Sequence, residues 1–265
     1  MAHLKLKDRE LGSVQGVLFD KDGTLSHSEP RLIELADARL DEAGRRFRSR
    51  GASASELQEL NDLLARTYGR CSAGVIPDGT LAVASRHHNL LSTATVFCQM
   101  NLSWPQSLVL AQEVFDHVDH HRQALHPGGY PISLLPDAAR LLRELAAAGI
   151  TCAVISNDTT KGIEDFLHQH QLNDCISGLW SADHHPAKPD PGAVQGLCSQ
   201  LDLRVENCAL IGDADTDLLM ARQAGIGLTI GYVAGWHRQP MLTAHEHLIS
   251  HWSELTATTD AMSKD

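Results

Sequence analysis

The second half of the chain alternates short apolar segments with helix-like segments, and this alternation limits the fold more than any other feature. The run from Ile150 to Ser156 is apolar almost throughout, which is typical of a strand buried on both faces. Similar strand-like runs occupy 14–19, 175–180, 208–212 and 227–233, and helical periodicity fills about 141–148, 160–170, 190–201 and 215–224. Strands that alternate with helices of this length form βαβ units. We therefore predict an α/β core with a three-layer, doubly wound parallel sheet.

Residues 26–135 follow a different pattern, in which helical periodicity dominates. It extends over 30–48, 80–100 and 104–125, and a capping box from Ser53 to Glu56 opens a further helix that runs to about Tyr68. A crossover connection needs far fewer residues than this. We predict a core built from 1–25 and 136–265 and an inserted helical domain at 26–135. The tail after Leu255 is expected to be frayed.

The composition excludes several classes of protein. The 265 residues carry a formal net charge of −11, whereas a nucleic-acid binder needs a dense positive surface. No segment reaches the roughly 18 apolar residues of a membrane span, and the charged N-terminus lacks the apolar run of a signal peptide. The six cysteines show no CxxC spacing. We expect a cytoplasmic protein, monomeric or homodimeric, that binds neither nucleic acid nor membrane.

Two acidic residues, Asp20 and Asp22, directly follow the first predicted strand. Residues i and i+2 of an extended strand point to the same side, so both carboxylates are expected to face one point and Lys21 to face away. Such a pair suits a nucleophile with a general acid and base, or a metal site, and Gly23 permits a tight turn. An ordinary Asp/Gly turn is the alternative interpretation, because this pattern alone is common in loops.

Three more polar motifs follow later strands. Ser156 and Asn157 offer a hydroxyl and free backbone N–H groups to an anionic oxygen, and Lys188 precedes a helix that prolines open. Asp213 and Asp217 share one face of a helix's first turn, where crowded carboxylates favour a cation such as Mg²⁺. Each motif alone has a structural alternative in turn, capping or helix-dipole chemistry. Together they lie at the carboxyl ends of successive strands, where parallel α/β sheets bind ligands.

The order of these motifs resembles that of haloacid dehalogenase-like phosphatases. The chain contains DxDGTL, then Ser-Asn, then Lys-Pro, then GDxxxDxxxAxxAG from Gly212 to Gly225. The resemblance covers 14–25 and 136–235, and the helical insert occupies the position of that family's α-helical cap. It implies a Rossmann-like core and Mg²⁺-dependent hydrolysis of a small phosphorylated metabolite, phosphoglycolate being the guess by family frequency. The reaction would pass through an aspartyl phosphate.

The resemblance also implies roles for individual residues. Asp20 would be the nucleophile, Asp22 the general acid and base, and Ser156 and Lys188 the groups that hold the phosphoryl oxygens. The implied Mg²⁺ ligands are Asp20, the backbone carbonyl of Asp22, and Asp213, with Asp217 close by. We expect substrate contacts from Thr24, Asn157 and Arg70. Arg70 lies in the segment Gly69–Gly79 between cap helices, for which a plain interhelical loop with a solvated arginine is the alternative.

Two positions depart from the commonest pattern of this family. Lys21 replaces the usual apolar or aromatic residue, and His27 stands where many capped members have Asp or Asn. Neither removes a catalytic group. The second aspartate, Asp22, argues against dehalogenase chemistry, and the absence of lysine between Lys21 and Lys161 argues against a Schiff-base phosphonoacetaldehyde hydrolase. A phosphomutase stays open, and a catalytically idle interaction module is a remote alternative because every carboxylate is retained.

Two further features of the sequence have competing interpretations. Histidines 117, 120 and 121 have a spacing that can bind Zn²⁺, although a solvated polar face explains them better, and His184-His185 precede the Lys188 loop and suit its rim. The segment around Pro127, Gly128, Gly129 and Pro131 suits a hinge, so we expect the cap to close over the cleft and expel water. A rigid cap that only blocks large substrates is the alternative.

Overall fold

The structure is a computed structural model that describes residues 2–7, 9–127 and 130–259. Gly128 and Gly129 of the predicted hinge lie outside the described residues. No helix in the described part is long and apolar enough to cross a membrane. The elements, numbered in chain order, are β1 (Ala2–Leu6), β2 (Arg9–Val14), β3 (Gly16–Phe19), β4 (Ser26–His27), α1 (Glu29–Ser49), α2 (Ala54–Tyr68), β5 (Arg70–Cys71), β6 (Gly74–Val75), α3 (Thr80–Val83), α4 (Arg86–Gln99), α5 (Trp104–Leu125), β7 (Ser133–Leu134), α6 (Ala138–Ala147), β8 (Thr151–Ile155), α7 (Thr160–Gln169), β9 (Gly178–Trp180), α8 (Pro191–Gln200), β10 (Cys208–Gly212), α9 (Asp215–Ala224), β11 (Leu228–Tyr232), β12 (His247–Ile249) and β13 (Leu255–Thr259).

The chain divides into two compact units, an α/β unit of residues 1–27 and 132–265 and a helical unit of residues 28–131. The sequence predicts 26–135 for the insert. The few residues of difference have a local cause, because Ser26 pairs with Leu134 and His27 pairs with Ser133 in an antiparallel ladder. This pairing keeps both ends of the insert within the α/β unit.

A six-stranded parallel sheet forms the centre of the α/β unit, in the order β12-β11-β10-β3-β8-β9. Every residue of β3 and β10 is buried, as expected for central strands covered on both faces. The helices that connect these strands bury amphipathic faces, for example Leu141, Leu142 and Leu145 of α6. The prediction of an α/β fold with a Rossmann-like parallel sheet is confirmed.

The prediction of a frayed tail after Leu255 is wrong for its first four residues, 256–259. Leu255–Thr259 forms β13, which pairs antiparallel with β1, and β1 also pairs with β2 in a separate three-stranded sheet. Leu4 and Leu255 are fully buried, so this sheet is stabilised by apolar burial between the two ends of the described chain. Because that pairing joins residues about 250 positions apart, no local pattern in the tail indicates it. Residues 260–265 lie outside the described part.

Two predicted elements are shorter than expected. The segment 80–100 forms two helices, α3 and α4, because the chain becomes extended at Ala84 and Ser85 then caps α4 by accepting from the His88 amide. The predicted strand at 175–180 begins only at Gly178, since Asn173–Cys175 forms a 3₁₀ turn. In the helical unit, α2 begins at the capping box between Ser53 and Glu56.

Candidate active site

Three carboxylates meet at the carboxyl edge of the parallel sheet. Asp20 directly follows β3, Asp213 directly follows β10, and Asp217 lies in the first turn of α9. The Asp20 amide donates to the carbonyl oxygen of Ile211 at 2.9 Å, which continues the β3–β10 pairing to this edge. One oxygen from each carboxylate lies within 4.8 Å of the others, and all three side chains are buried. The sheet register therefore brings together acids that are almost 200 positions apart.

Lys188 joins two of these acids. Its ammonium nitrogen lies 2.7 Å from Asp20 Oδ1, 2.6 Å from Asp217 Oδ1 and 3.3 Å from the carbonyl oxygen of Ile155. Asp190 fixes the loop that carries the lysine, because its side chain accepts from the Gly192 amide and caps α8. Burial opposes the charge of Lys188, but the two carboxylates outweigh burial and raise the lysine pKa above its ordinary value.

The buried acids carry more negative charge than the lysine compensates. Burial raises the pKa of Asp20 to about 6, against the lowering effect of Lys188, and the charge of Asp217 adds to the rise. Burial and the charges of Asp20 and Asp217 likewise raise the pKa of Asp213. Three carboxylates and one ammonium, all ionised, leave a net charge of −2 in a buried site.

This donor set fits a divalent cation. Mg²⁺ takes oxygen ligands, commonly one or two carboxylates completed by waters and substrate phosphate oxygens, and a double positive charge would neutralise the excess. Asp20, Asp213 and Asp217 supply buried carboxylate oxygens at the required proximity. Among the described residues, the side-chain donors to the Asp213 carboxylate are neutral, namely the Thr24 hydroxyl at 2.8 Å and the Trp236 indole at 2.5 Å. Such donors stabilise an ionised carboxylate without cancelling its charge.

The prediction that Lys21 faces away from both carboxylates is wrong. Its ammonium is fully buried, lies 2.7 Å from Asp22 Oδ1 and 3.1 Å from Asp158 Oδ2, and stands over the ring of Phe166. The alternation of an extended strand does not apply here, because the amides of Leu25 and Ser26 turn back to the Lys21 carbonyl oxygen. The Asp22 side chain is 22% exposed and contacts Lys21, and its charge contributes to the raised pKa of Asp20.

The other predicted residues of the α/β unit lie at the same edge with different surroundings. Ser156 is buried directly after β8, and its hydroxyl accepts from the Asp158 amide at 3.2 Å. Asn157 follows it and is partly exposed. Thr24 is fully buried and donates to Asp213, so its hydroxyl supports an acid and does not fit the predicted contact with substrate. The His184 Nδ1 accepts from the Ser181 amide at 3.1 Å and lies 2.8 Å from the Ser181 hydroxyl, and the imidazole packs against Trp180 with the two rings tilted by 30°.

Arg70 lies in the helical unit, where its nitrogens have local partners. Its guanidinium donates to Asp37 Oδ1 at 2.8 Å and Oδ2 at 3.2 Å, and to the carbonyl oxygen of Cys71. The cap histidines do not form a metal group among the described residues, where only the acidic cluster brings three ligand atoms together. His117 instead contacts Arg45, and His120 contacts the carbonyl oxygen of Asp116.

Sequence reasoning missed Trp236. This residue lies in the segment after β11, the neighbour of β10 in the sheet, and its indole N–H donates to Asp213. A search of every parallel strand's carboxyl end would have included this segment, because β11 ends at the same edge as β10 and β3. Nothing in the local sequence, however, indicates that the indole reaches an acid 23 positions earlier.

Comparisons with known proteins agree with this fold and site. A family model described as haloacid dehalogenase-like hydrolase matches residues 14–225, so the chain belongs to the haloacid dehalogenase-like hydrolases. It is 27% identical over 248 residues to phosphoglycolate phosphatase of Yersinia pestis, with 92% of each chain covered. It is 30% identical over 247 residues to that of Aliivibrio fischeri, covering 88% of this chain and 91% of the relative.

Among solved structures, a predicted phosphoglycolate phosphatase from Haemophilus somnus has a similar fold. The TM-score is 0.64 at 18% identity, with 92% of this chain and 97% of the other covered. The predicted resemblance to hydrolases of this superfamily, and within it to phosphoglycolate phosphatases, is thereby confirmed, and the chain is an enzyme of the hydrolase class.

Proposed function

We propose that the chain is a Mg²⁺-dependent phosphatase that hydrolyses a small phosphorylated metabolite through an aspartyl-phosphate intermediate. The observation that carries the proposal is the buried cluster of Asp20, Asp213, Asp217 and Lys188, whose excess negative charge calls for a divalent cation. Phosphoryl transfer depends mainly on positioning and on positive charge beside the phosphoryl oxygens. This cluster has both a buried cationic side chain and a cation-binding set of oxygens.

The first half-reaction transfers the phosphoryl group to the enzyme. A carboxylate oxygen of Asp20 attacks phosphorus, the ester P–O bond breaks, and Asp22 gives its proton to the departing alkoxide oxygen. Bound Mg²⁺ would supply positive charge to the transferring phosphoryl group and would be held by Asp20, the Asp22 carbonyl oxygen, Asp213 and Asp217. Lys188 and the Ser156 hydroxyl are the protein groups that we assign to the phosphoryl oxygens.

The second half-reaction regenerates the enzyme. Asp22, now ionised, takes a proton from a water molecule, whose oxygen attacks phosphorus as the bond to Asp20 breaks. The products are the free Asp20 carboxylate and inorganic phosphate, and Asp22 is protonated for the next cycle. The exposure of Asp22 to solvent supports this role, because its proton must reach both the alkoxide and the water.

Phosphoglycolate is the substrate that we propose to test first, because the two relatives reported above carry that activity in their names. The test is phosphate release from a panel of phosphate esters by purified protein with Mg²⁺, and again after exhaustive chelation. We expect multiple turnovers with Mg²⁺, the highest kcat/KM for phosphoglycolate, and no turnover after chelation. Undiminished activity after chelation would contradict the metal assignment.

The alternative of a phosphomutase has a distinct signature in the same assay. A mutase passes its aspartyl phosphate to a second sugar phosphate and must therefore protect it from water. Isomerisation of a sugar 1-phosphate with little net phosphate release would support the mutase. Rapid release of phosphate from several esters, with no isomerised product, would support the phosphatase.

A further inference from the structure

The carboxylate of Asp213 is held at both of its oxygens. The Thr24 hydroxyl donates to Oδ1 at 2.8 Å, and the Trp236 indole N–H donates to Oδ2 at 2.5 Å. All three side chains are buried, with Trp236 only 6% exposed. One donor alone would leave the carboxylate free to rotate about its Cβ–Cγ bond, whereas two donors on opposite oxygens fix its plane.

The chain reaches this arrangement through a close approach of two glycines. A Cβ atom added to Gly235 would overlap the carbonyl oxygen of Gly23, and one added to Gly23 would overlap both Asp213 Oδ2 and Trp236 Nε1. Gly23 also has a φ of +82°, which L side chains rarely adopt. The segment after β11 can therefore lie directly on the turn that follows β3, and this contact brings the indole to Asp213.

The chemistry of the two donors suits a ligand-supporting role. The indole N–H of Trp236 can only donate a hydrogen bond. If Asp213 Oδ2 were protonated, the indole could not accept a hydrogen bond from it. The two donors to Asp213, a hydroxyl and an indole N–H, are uncharged. The ammonium of Lys188 contacts the other two acids, Asp20 and Asp217. Each Asp213 oxygen uses one acceptor position for these donors and retains another that is available to a cation.

We infer that Trp236 is a positioning residue for Mg²⁺ binding, which orients the Asp213 carboxylate through its indole N–H. The inference rests on the proposed function for the identity of the cation. It adds to the site a residue that lies outside the sequence motifs of Asp20, Ser156, Lys188 and Asp213. Donors in the second layer around a metal ligand commonly change metal affinity or activity by about 10–100-fold when removed. Trp236 therefore acts through Asp213 rather than on the substrate.

The test is the Mg²⁺ dissociation constant of Trp236→Phe, measured by calorimetry on metal-free protein. This substitution removes the N–H and keeps an aromatic ring in the site. We expect the dissociation constant to rise about 10–100-fold. At saturating Mg²⁺, kcat should recover most of its wild-type value, because the reacting groups are unchanged.

Trp252→Phe is the matched control. Trp252 is fully buried in the same unit and stacks on Tyr232, but its indole nitrogen has no hydrogen-bond partner among the described residues. The control should lose packing without a change in Mg²⁺ affinity. If Trp236→Phe binds Mg²⁺ as tightly as the wild type does, Trp236 has no positioning role and the proposed function is unaffected. If the wild type itself hydrolyses phosphate esters without binding Mg²⁺, the proposed metal dependence is wrong.

A measurement on wild-type protein covers the case in which Trp236→Phe fails to fold. The indole N–H signal of Trp236 can be assigned by NMR through elimination, with single Trp→Phe variants at 104, 180 and 252. We expect this signal to shift on Mg²⁺ addition and its hydrogen exchange to slow. An indole N–H of Trp236 that exchanges rapidly with solvent, and whose chemical shift does not change on Mg²⁺ addition, would overturn the inference.

Discussion

The α/β unit and the helical unit use charged residues in different ways. In the α/β unit, the buried acids Asp20, Asp213 and Asp217 have one buried lysine between them, so negative charge is left uncompensated. In the helical unit, many charged groups form pairs, such as Arg86 with Asp116 and Asp119, or Arg46 with Glu42 and Glu113. Its buried Arg39 instead lies over the ring of Phe115, and Nε of this arginine has no hydrogen-bond partner among the described residues. Buried carboxylates that outnumber the cations beside them are costly and indicate a site, whereas charges that are paired or packed on an aromatic ring are consistent with a scaffold.

The helical unit contains a groove whose buried acid is paired with two arginines. The groove has a volume of about 740 Å³ and is lined by residues of α1, α2 and α5. Glu42 on its wall is buried, but its carboxylate is contacted by both Arg45 and Arg46. The size of a cavity therefore says less about chemistry in this chain than the balance of its charges does.

The substitution Asp20→Asn should have the largest effect, because it removes one of the buried carboxylates that distinguish the α/β unit from the helical unit. The substitution removes the attacking oxygen anion and one cation ligand while it nearly preserves shape, so we expect kcat to fall by at least about 10³-fold. Thermal stability without metal should stay the same or rise, because a buried charge is removed. The measurements are turnover of an aryl phosphate and the melting temperature with and without Mg²⁺. Substantial turnover by this variant would contradict the covalent mechanism.

Deletion of the helical unit tests whether that unit is only a scaffold. The strands β4 and β7 pair directly, so a short linker can join His27 to Ile132 without distorting the α/β unit. Mg²⁺ affinity should persist, because all the clustered acids belong to the α/β unit. We expect kcat/KM for phosphoglycolate to fall by at least about 10-fold, if the helical unit contributes substrate contacts and excludes water as the sequence predicts.

The control for this deletion is Asp20→Asn in the shortened chain, which gives the background rate. If the helical unit only blocks large substrates, the shortened protein will hydrolyse small phosphate esters as fast as the full chain and will accept larger ones. Retained Mg²⁺ binding in the same sample shows that the α/β unit has folded, so a loss of rate is attributable to the missing unit.

The proximity of the acidic residues could be predicted from the sequence because it depends on where the strands end. Asp20 and Asp213 each follow a buried apolar run, and parallel strands deliver such residues to one edge of a sheet. The direction of Lys21 was predicted wrongly because extended geometry ends at the strand terminus. The contact of Trp236 depends on the meeting of Gly23 and Gly235, which are more than 200 positions apart. Local patterns carry no information about such a meeting.

The pH dependence of stability gives a smaller effect with a definite sign. In metal-free protein the pKa of Asp20 is raised from 3.8 to about 6, so the folded state binds more protons than the unfolded state between these values. The free energy of unfolding should therefore fall as the pH rises through this window, by at most about 3 kcal/mol. Asp215 and Glu254 have lowered pKa values and act with the opposite sign, mainly below pH 5.

The measurement is chemical denaturation from about pH 4 to pH 7, which covers the window between the two pKa values, for the wild type and for Asp20→Asn. The difference between the two proteins measures the contribution of Asp20, including its effect on the pKa of Asp213, and we expect wild-type stability to decline relative to the variant as the pH rises. Saturating Mg²⁺ should remove the decline, because the cation binds the ionised form and competes with protons. A wild-type protein that gains stability over the variant without metal would contradict the assigned burial cost.

The smallest effect is expected at Arg70. This residue distinguishes a helical unit that contacts the substrate from one that is only a scaffold. As a substrate contact, Arg70 would recognise the carboxylate of phosphoglycolate. In the structure its guanidinium is engaged by Asp37 and by the Cys71 carbonyl oxygen, so a substrate would have to displace these partners. We therefore expect Arg70→Ala to change KM by less than about twofold and to cost about 0.5–1 kcal/mol of stability, in the range of an exposed ion pair.

Arg86→Ala is the matched control, since Arg86 forms comparable pairs with Asp116 and Asp119. Both variants should be assayed with phosphoglycolate and with an aryl phosphate that lacks a carboxylate. Equal, small changes of KM in both variants would support a purely structural role for the charged pairs of the helical unit. A rise of KM by fivefold or more in Arg70→Ala alone, confined to phosphoglycolate, would instead assign this arginine to the substrate carboxylate. In that case a compensated charge would also belong to the site, and the contrast between the two units would not hold at Arg70.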